Sequence, residues 1–291
     1  MLYLGCAVWA YEGWFGNFYP ADLPKRESLR AYAQRLTAIE GNTTFYAVPS
    51  GETVQRWRVE TPPEFRFCVK FPRAVSHQGL LVPRLDKAQD FLDRLLPLGE
   101  RLGAVFLQLP PLYGPENLGD LLGFFEGLAG YSVPLAVEVR HPQWWQPEHQ
   151  SILHQALGAP RSGSLRDRRL SQVILDTRPI YQCTDDPQRY AKRRKPKLPV
   201  TFHQTATPLI VRFISHPEWR WNEAYLAEWQ RFLESILQQG QTVYFFVHCP
   251  TEEHSPFTAR RFYHQLQQAN LVQEPLPWDS LTSVPQQLSL F

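Results

Sequence analysis

The sequence predicts an α/β fold: a TIM-type (β/α)8 barrel, somewhat irregular, with an extended C-terminal tail. Three observations predict it. Eight short apolar segments recur along the 291 residues, most of the intervals between them carry a helical pattern, and no G-x-G-x-x-G follows any of the segments. Because most of the segments are nearly continuous apolar runs, they are typical of parallel strands that are buried on both faces, as in a barrel.

The eight predicted strands start 28 to 38 residues apart, which is the length of one strand plus a returning helix. Each is rich in Val, Ile, Leu or Phe, except for the more polar second strand. They are LYLGCAV from Leu2, TAIEGN from Thr37, FRFCVKF from Phe65, GAVFLQL from Gly103, PLAVEVR from Pro134, SQVILD from Ser171, PLIVRFI from Pro208 and TVYFFVH from Thr242.

Seven of the intervals predict helices, because apolar residues recur every three to four positions. In chain order these are KRESLRAYAQRL, ETVQRWRVE, DKAQDFLDRLLPLGERL, NLGDLLGFFEGLA, EHQSILHQAL, NEAYLAEWQRFLESILQQG and FTARRFYHQLQQA. Gly240 supplies a stop for the sixth of these helices. The interval after the sixth strand, from Thr177, is broken by prolines and rich in basic residues, and it predicts a long loop.

The predicted domain organisation is one barrel over residues 1–272 and a flexible, proline-containing tail over 273–291 that ends in QLSLF. A net charge of +2 and a pI near 8.3 do not indicate a dedicated nucleic-acid protein. The four cysteines are scattered without a C-x-x-C pair, which argues against a zinc knuckle or a disulfide framework. No apolar run is long enough to span a membrane, and we expect a cytoplasmic protein.

Polar side chains stand at the ends of the predicted strands, where a barrel of this type carries its chemistry. Burying them unpaired would be costly, so we expect them to share one polar cleft. The alternative is that they only satisfy one another as ion pairs inside the barrel. The candidate ligand-binding residues are Trp9, Tyr11, Asn42, Tyr46, Lys70, Arg73, Gln108, Arg140, Asp176, Arg212 and His248, and the candidate catalytic residues are Glu40, Glu138, His77 and His141.

Five blocks of sequence resemble the successive signature blocks of the YecE-like proteins, or domain of unknown function 72. They are GCAVWAYEGWFGNFYP, IEGNTTFYAVPSGETVQRWRVETPPEFRFCVKFPRAVSH, LGAVFLQLPP, AVEVRHPQWW and YFFVHCP. The resemblance covers roughly residues 3 to 265 and implies a TIM-barrel-type fold, but no established activity. It supports most of the candidates as motif residues. The last block departs from the family pattern, since His248 and His254 stand where asparagines are usual.

The cations on separate strands predict a small anionic, phosphate-bearing ligand, because guanidinium groups match phosphate geometry. Glu40 and Glu138 are either an acid and base pair or ion partners of those cations, whereas the two histidines titrate near neutrality. A hydrolase acting on a phosphate-containing substrate is the enzyme that this pattern suggests. A metal site built from Glu40, Glu138, His141, Asp176 and His248 has no supporting spacing, so metal and cofactor stay unassigned.

The last five residues resemble the peptide with which bacterial polymerases and repair proteins dock on the DNA sliding clamp. A glutamine amide would hydrogen-bond, and leucine and phenylalanine would enter apolar pockets, from a tether that orders on binding. The alternative is that this tail covers an apolar patch on the barrel itself. The residues are Gln287, Leu288, Ser289, Leu290 and Phe291.

Three function classes follow: an enzyme at the barrel mouth, a clamp-associated nucleic-acid repair factor, and a non-enzymatic adaptor. The basic run between Arg189 and Lys197 favours the second class, since such a run binds polyanions by releasing counterions. It is also typical of a solvated loop.

Overall fold

The computed structural model describes residues 1–159, 169–189 and 194–281 and forms a closed barrel of eight parallel strands in chain order. The barrel closes because β8 pairs with β1 over five residues, from Val243 beside Leu2 to Val247 beside Cys6. The predicted fold is therefore confirmed. The strands are β1 Leu2–Cys6, β2 Ala38–Gly41, β3 Arg66–Lys70, β4 Leu102–Gln108, β5 Leu135–Glu138, β6 Ser171–Asp176, β7 Leu209–Ile214 and β8 Val243–His248.

Helices return the chain between strands and pack their apolar faces on the outside of the barrel. They are α1 Ser28–Ala33, α2 Gly51–Glu60, α3 Arg73–Ser76, α4 Leu85–Leu95, α5 Leu118–Glu126, α6 Pro147–Gly158, α7 Glu223–Gln238 and α8 Ser255–Gln268. The predicted stop after α7 is present, because Gly240 adopts a φ of +70°, which favours glycine. Between β6 and β7 the described residues contain only a single 3-10 turn, Arg178–Ile180, and no α-helix.

Side chains alternate between the inside and the outside of the barrel along each strand, which sets what reaches the mouth. The lower interior is filled by small and aromatic residues, including Ala38, Cys68 and Phe106. Two positions further along the same strands, the inward side chains become Glu40, Lys70 and Gln108. The polar site therefore lies directly above this layer of apolar side chains, at the C-terminal end of the strands.

The chain after α8 remains attached to the barrel through residue 281. Leu276 is fully buried, and the Trp278 ring packs 4.8 Å from the ring of Phe18 and 4.6 Å from the guanidinium of Arg260. Asp279 accepts hydrogen bonds from Arg260. Residues 273–281 of the predicted tail thus belong to the fold, and the rest of it, including QLSLF, lies outside the described residues. Among described helices, none is long and apolar enough to cross a membrane.

Candidate functional site

Glu40, at the end of β2, is the centre of an ion network inside the barrel mouth. Its Oε2 atom accepts hydrogen bonds from Arg212 Nε at 2.8 Å and from His248 Nε2 at 2.7 Å. Its Oε1 atom lies 3.0 Å from Lys70 Nζ. These four side chains come from β2, β3, β7 and β8 and are all buried, so the barrel brings distant parts of the chain together as predicted.

Glu138, at the end of β5, extends the same network across the barrel. Arg212 Nη1 donates to Glu138 Oε2 at 2.6 Å, so one guanidinium bridges the two buried carboxylates. Arg140 contacts the other oxygen of Glu138, with Nε and Nη2 each 2.6 Å from Oε1. The two carboxylate oxygens of Glu138 are thus each held by a different guanidinium. The network is therefore rigidly defined from both sides.

Both carboxylates remain ionised despite their burial. Burial alone would raise the pKa of Glu40, but Arg212, Lys70 and His248 outweigh it and hold the pKa well below its usual range. Burial is likewise outweighed at Glu138, where Arg140 and Arg212 lower the pKa to about 2. Carboxylates held in this way are poor proton donors near neutrality. Their evident role is to hold the cations in place.

His248 is neutral in this network. Burial lowers its pKa to about 3, although Glu40 opposes the shift. Because Nε2 faces an ionised carboxylate oxygen, the ring proton sits there, and Nδ1 is a free acceptor. Nδ1 is buried and has no hydrogen-bond partner among the described residues. His248 was a candidate ligand-binding residue, but it does not line the cleft that opens at the barrel mouth.

A cleft of about 390 Å³ opens above the network at the barrel mouth. Six basic side chains line it, and none of its lining residues is a carboxylate. Arg73 and Lys195 have no carboxylate oxygen within 4.0 Å among the described residues, so their charges are available to a ligand. The lining residues are Asn42, Phe45, Tyr46, Lys70, Arg73, His77, Gln108, Arg140, Leu175, Arg194, Lys195, Pro196 and Arg212.

His77 is the candidate proton-transfer residue that the structure brings into the cleft. Burial, with repulsion from Arg140 and Arg73, lowers its pKa to about 4, so the ring is neutral near pH 7. Its Nδ1 lies 2.8 Å from Ser76 Oγ, which orients the ring. His141 is different. It does not line the cleft, and its Nδ1 accepts the backbone N–H of Gln143 at 3.2 Å.

The predicted aromatic ligands divide into two groups. Tyr46 lies at the rim of the cleft and is 70% exposed. Trp9 packs edge-on against Trp57, and Tyr11 packs against Trp14, so neither lines the cleft. These two aromatic residues support the loop after β1.

Asp176 does not face the mouth, and its predicted position in the cleft is corrected. Along β6 the inward side chains are Val173 and Leu175, so the next residue points outward, toward α7. Its carboxylate accepts hydrogen bonds from Arg178 and from Trp229 Nε1, the latter at 2.9 Å. The sequence contains the information needed to place Asp176 outside the cleft, because side chains alternate between the two faces of a strand and this residue directly follows an inward one.

Two cleft cations, Arg194 and Lys195, were not among the predicted site residues. They lie in the basic loop after β6, whose composition predicted polyanion binding without saying which residues reach the mouth. The backbone is held there by Gln188 Oε1, which accepts the N–H of Lys195 at 2.7 Å, and by Thr177 Oγ1, which donates to the Pro196 carbonyl at 3.1 Å. Arg194 forms an ion pair with Asp186.

One group of described residues has the proximity of metal ligands, namely Cys183, Asp185 and His216, whose ligand atoms lie within 4.8 Å of one another. The imidazole argues against an ion there. Its Nδ1 accepts the backbone N–H of Glu218 at 2.9 Å, so the proton of the neutral ring is on Nε2, which faces Asp185. Glu40 and Glu138 have their oxygens engaged by cations. We therefore assign no metal.

Comparison with known proteins agrees with this architecture. The UPF0759 protein YecE of Escherichia coli O157:H7 is 35% identical over a 297-residue alignment that covers 100% of both chains. The UPF0759 protein YunF of Bacillus subtilis is 28% identical over 156 residues, which is 50% of this chain and 53% of that protein.

Solved structures share the fold at lower identity. The structure of a DUF72 family protein from Thermotoga maritima aligns with a TM-score of 0.65 at 20% identity, covering 92% of this chain and 99% of that one. A DUF72 family protein from Enterococcus faecalis aligns with a TM-score of 0.64 at 17% identity, covering 94% and 97%. The model of the family described as protein of unknown function DUF72 matches residues 3–281, and the chain belongs to that family.

Proposed function

We propose that the barrel mouth binds a small anionic ligand that carries a phosphate group. One observation carries the proposal: six basic side chains line the cleft, no carboxylate lines it, and Arg73 and Lys195 have no carboxylate oxygen within 4.0 Å among the described residues. The cleft therefore has an excess of positive charge. A ligand that supplies negative charge would relieve the repulsion among these cations.

The shape of the cleft supports a small ligand. Its volume of about 390 Å³ lies at the lower end of the range of small-molecule sites. Arg140 and Arg212 are fixed by Glu138, so they are preorganised for binding, whereas Arg73 and Lys195 have no carboxylate partner among the described residues. Asn42 and Gln108 add amide groups that can read hydroxyl or carbonyl groups of the ligand.

Titration calorimetry with inorganic phosphate tests this proposal. We expect saturable binding to the wild-type protein, and about tenfold weaker binding after Arg73→Gln or Lys195→Gln, because each loses one charge-assisted hydrogen bond. Arg56→Gln is the matched control, since Arg56 is exposed on α2 and does not line the cleft. Equal phosphate affinity in all four proteins would refute the proposal.

Hydrolysis is the reaction that the sequence suggested for such a ligand, and His77 is then the residue to accept a proton from water. It is neutral near pH 7, whereas Glu40 and Glu138 are ionised and paired. If the ligand is hydrolysed, His77→Gln should lower kcat for a phosphate monoester without a matching change in phosphate affinity.

We infer a second function from the QLSLF segment, residues 287–291: docking on a bacterial DNA sliding clamp. Binding of nucleic acid by the basic loop would accompany it and would fall steeply with salt. A pulldown with a purified clamp should retain the wild-type protein and lose a variant with Leu290→Ala and Phe291→Ala. Gln286→Ala, just outside the motif, is the control. Equal retention of the three proteins would remove this function.

A further inference from the structure

Lys70 is the amine that the fold places deepest in the cleft. It is the last residue of β3, its side chain is 7% exposed, and it lines the cleft floor. The Phe106 ring lies beneath it, 5.4 Å from Nζ to the ring centroid. Because the strand and its neighbours fix the stem of this side chain, its amine has a defined position relative to the bound anion.

The surroundings of Lys70 leave a large fraction of its amines uncharged near pH 7. Burial, with repulsion from Arg212, lowers its pKa to about 7, although Glu40 and Glu138 oppose the shift. An ordinary lysine at pH 7 is neutral in fewer than about one molecule in a thousand. Burial and an adjacent cation are the two means by which proteins turn a lysine into a nucleophile.

Glu40 is suited to stabilise the product of such a nucleophile. Its Oε1 atom is 3.0 Å from Lys70 Nζ and makes no hydrogen bond with the described residues. A protonated imine at Nζ keeps one N–H and one positive charge, so it can donate to this oxygen. Arg73 and Lys195 line the same cleft as Lys70, so they are available to hold a phosphate or carboxylate group of the same ligand.

We propose that Lys70 forms an imine with the carbonyl carbon of a small ligand that also carries a phosphate or carboxylate group. This inference rests on the proposed anion binding and adds the reactive group of the substrate. In the step, the Lys70 ammonium first loses one proton to water, and the neutral amine attacks the carbonyl carbon so that a C–N bond forms. That proton and one proton of the nitrogen pass to the carbonyl oxygen, the C–O bond breaks as this oxygen leaves as water, and the nitrogen keeps one proton in a positively charged C=N group. Starting from the ammonium form, lysine and carbonyl give iminium and one water, so charge and atoms balance.

Lys195 is the competing amine, because it lines the same cleft and burial also lowers its pKa. Two features favour Lys70. It extends from a barrel strand and not from the loop after β6, and it has a carboxylate oxygen beside its nitrogen, whereas Lys195 has none within 4.0 Å among the described residues. The location of the adduct therefore distinguishes the two.

Reductive trapping tests the inference. Wild-type protein is incubated with pyridoxal 5′-phosphate, an aldehyde that carries a phosphate, reduced with borohydride, digested and mapped by mass spectrometry. We expect one dominant adduct on Lys70, with the mass of the probe minus one oxygen, that inorganic phosphate suppresses. Lys70→Arg should reduce total labelling at least about tenfold, since arginine keeps the charge and forms no imine. Lys87→Arg, outside the cleft, is the matched control and should label like the wild type.

Mapping on the wild-type protein decides the question even if Lys70→Arg does not fold. A dominant adduct on Lys195, or labelling spread evenly over exposed lysines, would overturn the imine. Phosphate calorimetry on the same sample separates the two proposals. Phosphate binding without an adduct on Lys70 contradicts the imine alone, whereas absence of both contradicts the anion site as well.

Discussion

Arg212 is the residue that holds the interior of the mouth together. It contacts Glu40 and Glu138 from opposite sides, and both carboxylates in turn raise its pKa against the effect of burial. Buried ion networks of this kind are not in themselves stabilising relative to apolar packing, but breaking one leaves an unpaired buried charge. The network is better understood as a device that fixes the cations of the cleft.

Replacing one member of the network should therefore be costly. We predict that Glu138→Gln lowers the free energy of unfolding by about 3–5 kcal/mol at pH 7, because Arg212 and Arg140 lose a charged partner. Since the pKa of Glu138 is lowered from 4.5 to about 2, the stability that it contributes is present above about pH 4.5. It is lost as the pH falls through about 2. Urea denaturation at several pH values measures this.

The control for that experiment is Glu64→Gln, because Glu64 is exposed and outside the network. The stability difference between wild type and Glu138→Gln should narrow as the pH falls from 4.5 to 2, whereas the control should follow the wild type throughout. A difference that stays constant down to pH 2 would mean that the neighbours of Glu138 do not lower its pKa in the folded protein.

For single residues, the sequence predicted which side chains belong to the ion network but not which of them form ion pairs with each other. Glu40, Lys70, Glu138 and Arg212 could be found because polar residues inside an otherwise apolar strand are costly unless they meet. Which oxygen meets which nitrogen depends on the strand register and on the alternation of side chains. The register and the inward or outward direction of each side chain are known only once the pairing of all eight strands is known.

Strand β6 shows how the position of a residue along a strand determines which face of the barrel its side chain occupies. Its last residue, Asp176, belongs to the outward face, and there it joins the strand to α7 through Trp229 and to the following turn through Arg178. A position at a strand end is therefore not enough to place a side chain in the site. The parity of that position along the strand decides the face.

A substitution at Asp176 tests whether this residue contributes to the stability of the fold or to the binding of phosphate. Asp176→Asn should lower the free energy of unfolding by about 1–3 kcal/mol, because an ion pair with Arg178 is lost from a buried position. Phosphate affinity by calorimetry should stay unchanged. The reverse result, weaker phosphate binding at unchanged stability, would place this carboxylate in the cleft after all.

The connection between β6 and β7 is the element that the sequence described least well. Its prolines and basic residues correctly predicted a loop, since proline removes a backbone donor and breaks helices. They did not predict that Lys195 lines the cleft. That position depends on single hydrogen bonds from Lys195 to Gln188 and from Thr177 to Pro196, which join irregular parts of the same connection. Such contacts leave no periodic pattern to detect.

For the whole molecule, the sequence predicted the barrel fold, but it predicted only some of the residues of the cleft and did not determine a reaction. Eight apolar segments separated by helical intervals leave few ways to bury every strand on both faces, and a closed barrel is one of them. The end of the domain was less evident, because Leu276 and Trp278 lie among prolines that resemble a linker. The same fold supports unrelated reactions, so the reaction must be argued from the residues of the mouth.

Cations from separate strands converge at one end of the barrel, where we propose that they bind a phosphate-like anion. A crystal of the protein soaked in sodium tungstate, a heavy-atom mimic of phosphate, tests it most directly. We expect an anomalous difference peak at the C-terminal mouth, in contact with Arg73 and Lys195 and above the pair formed by Lys70 and Glu40. A peak elsewhere on the molecule, with an empty mouth at the same tungstate concentration, would contradict it.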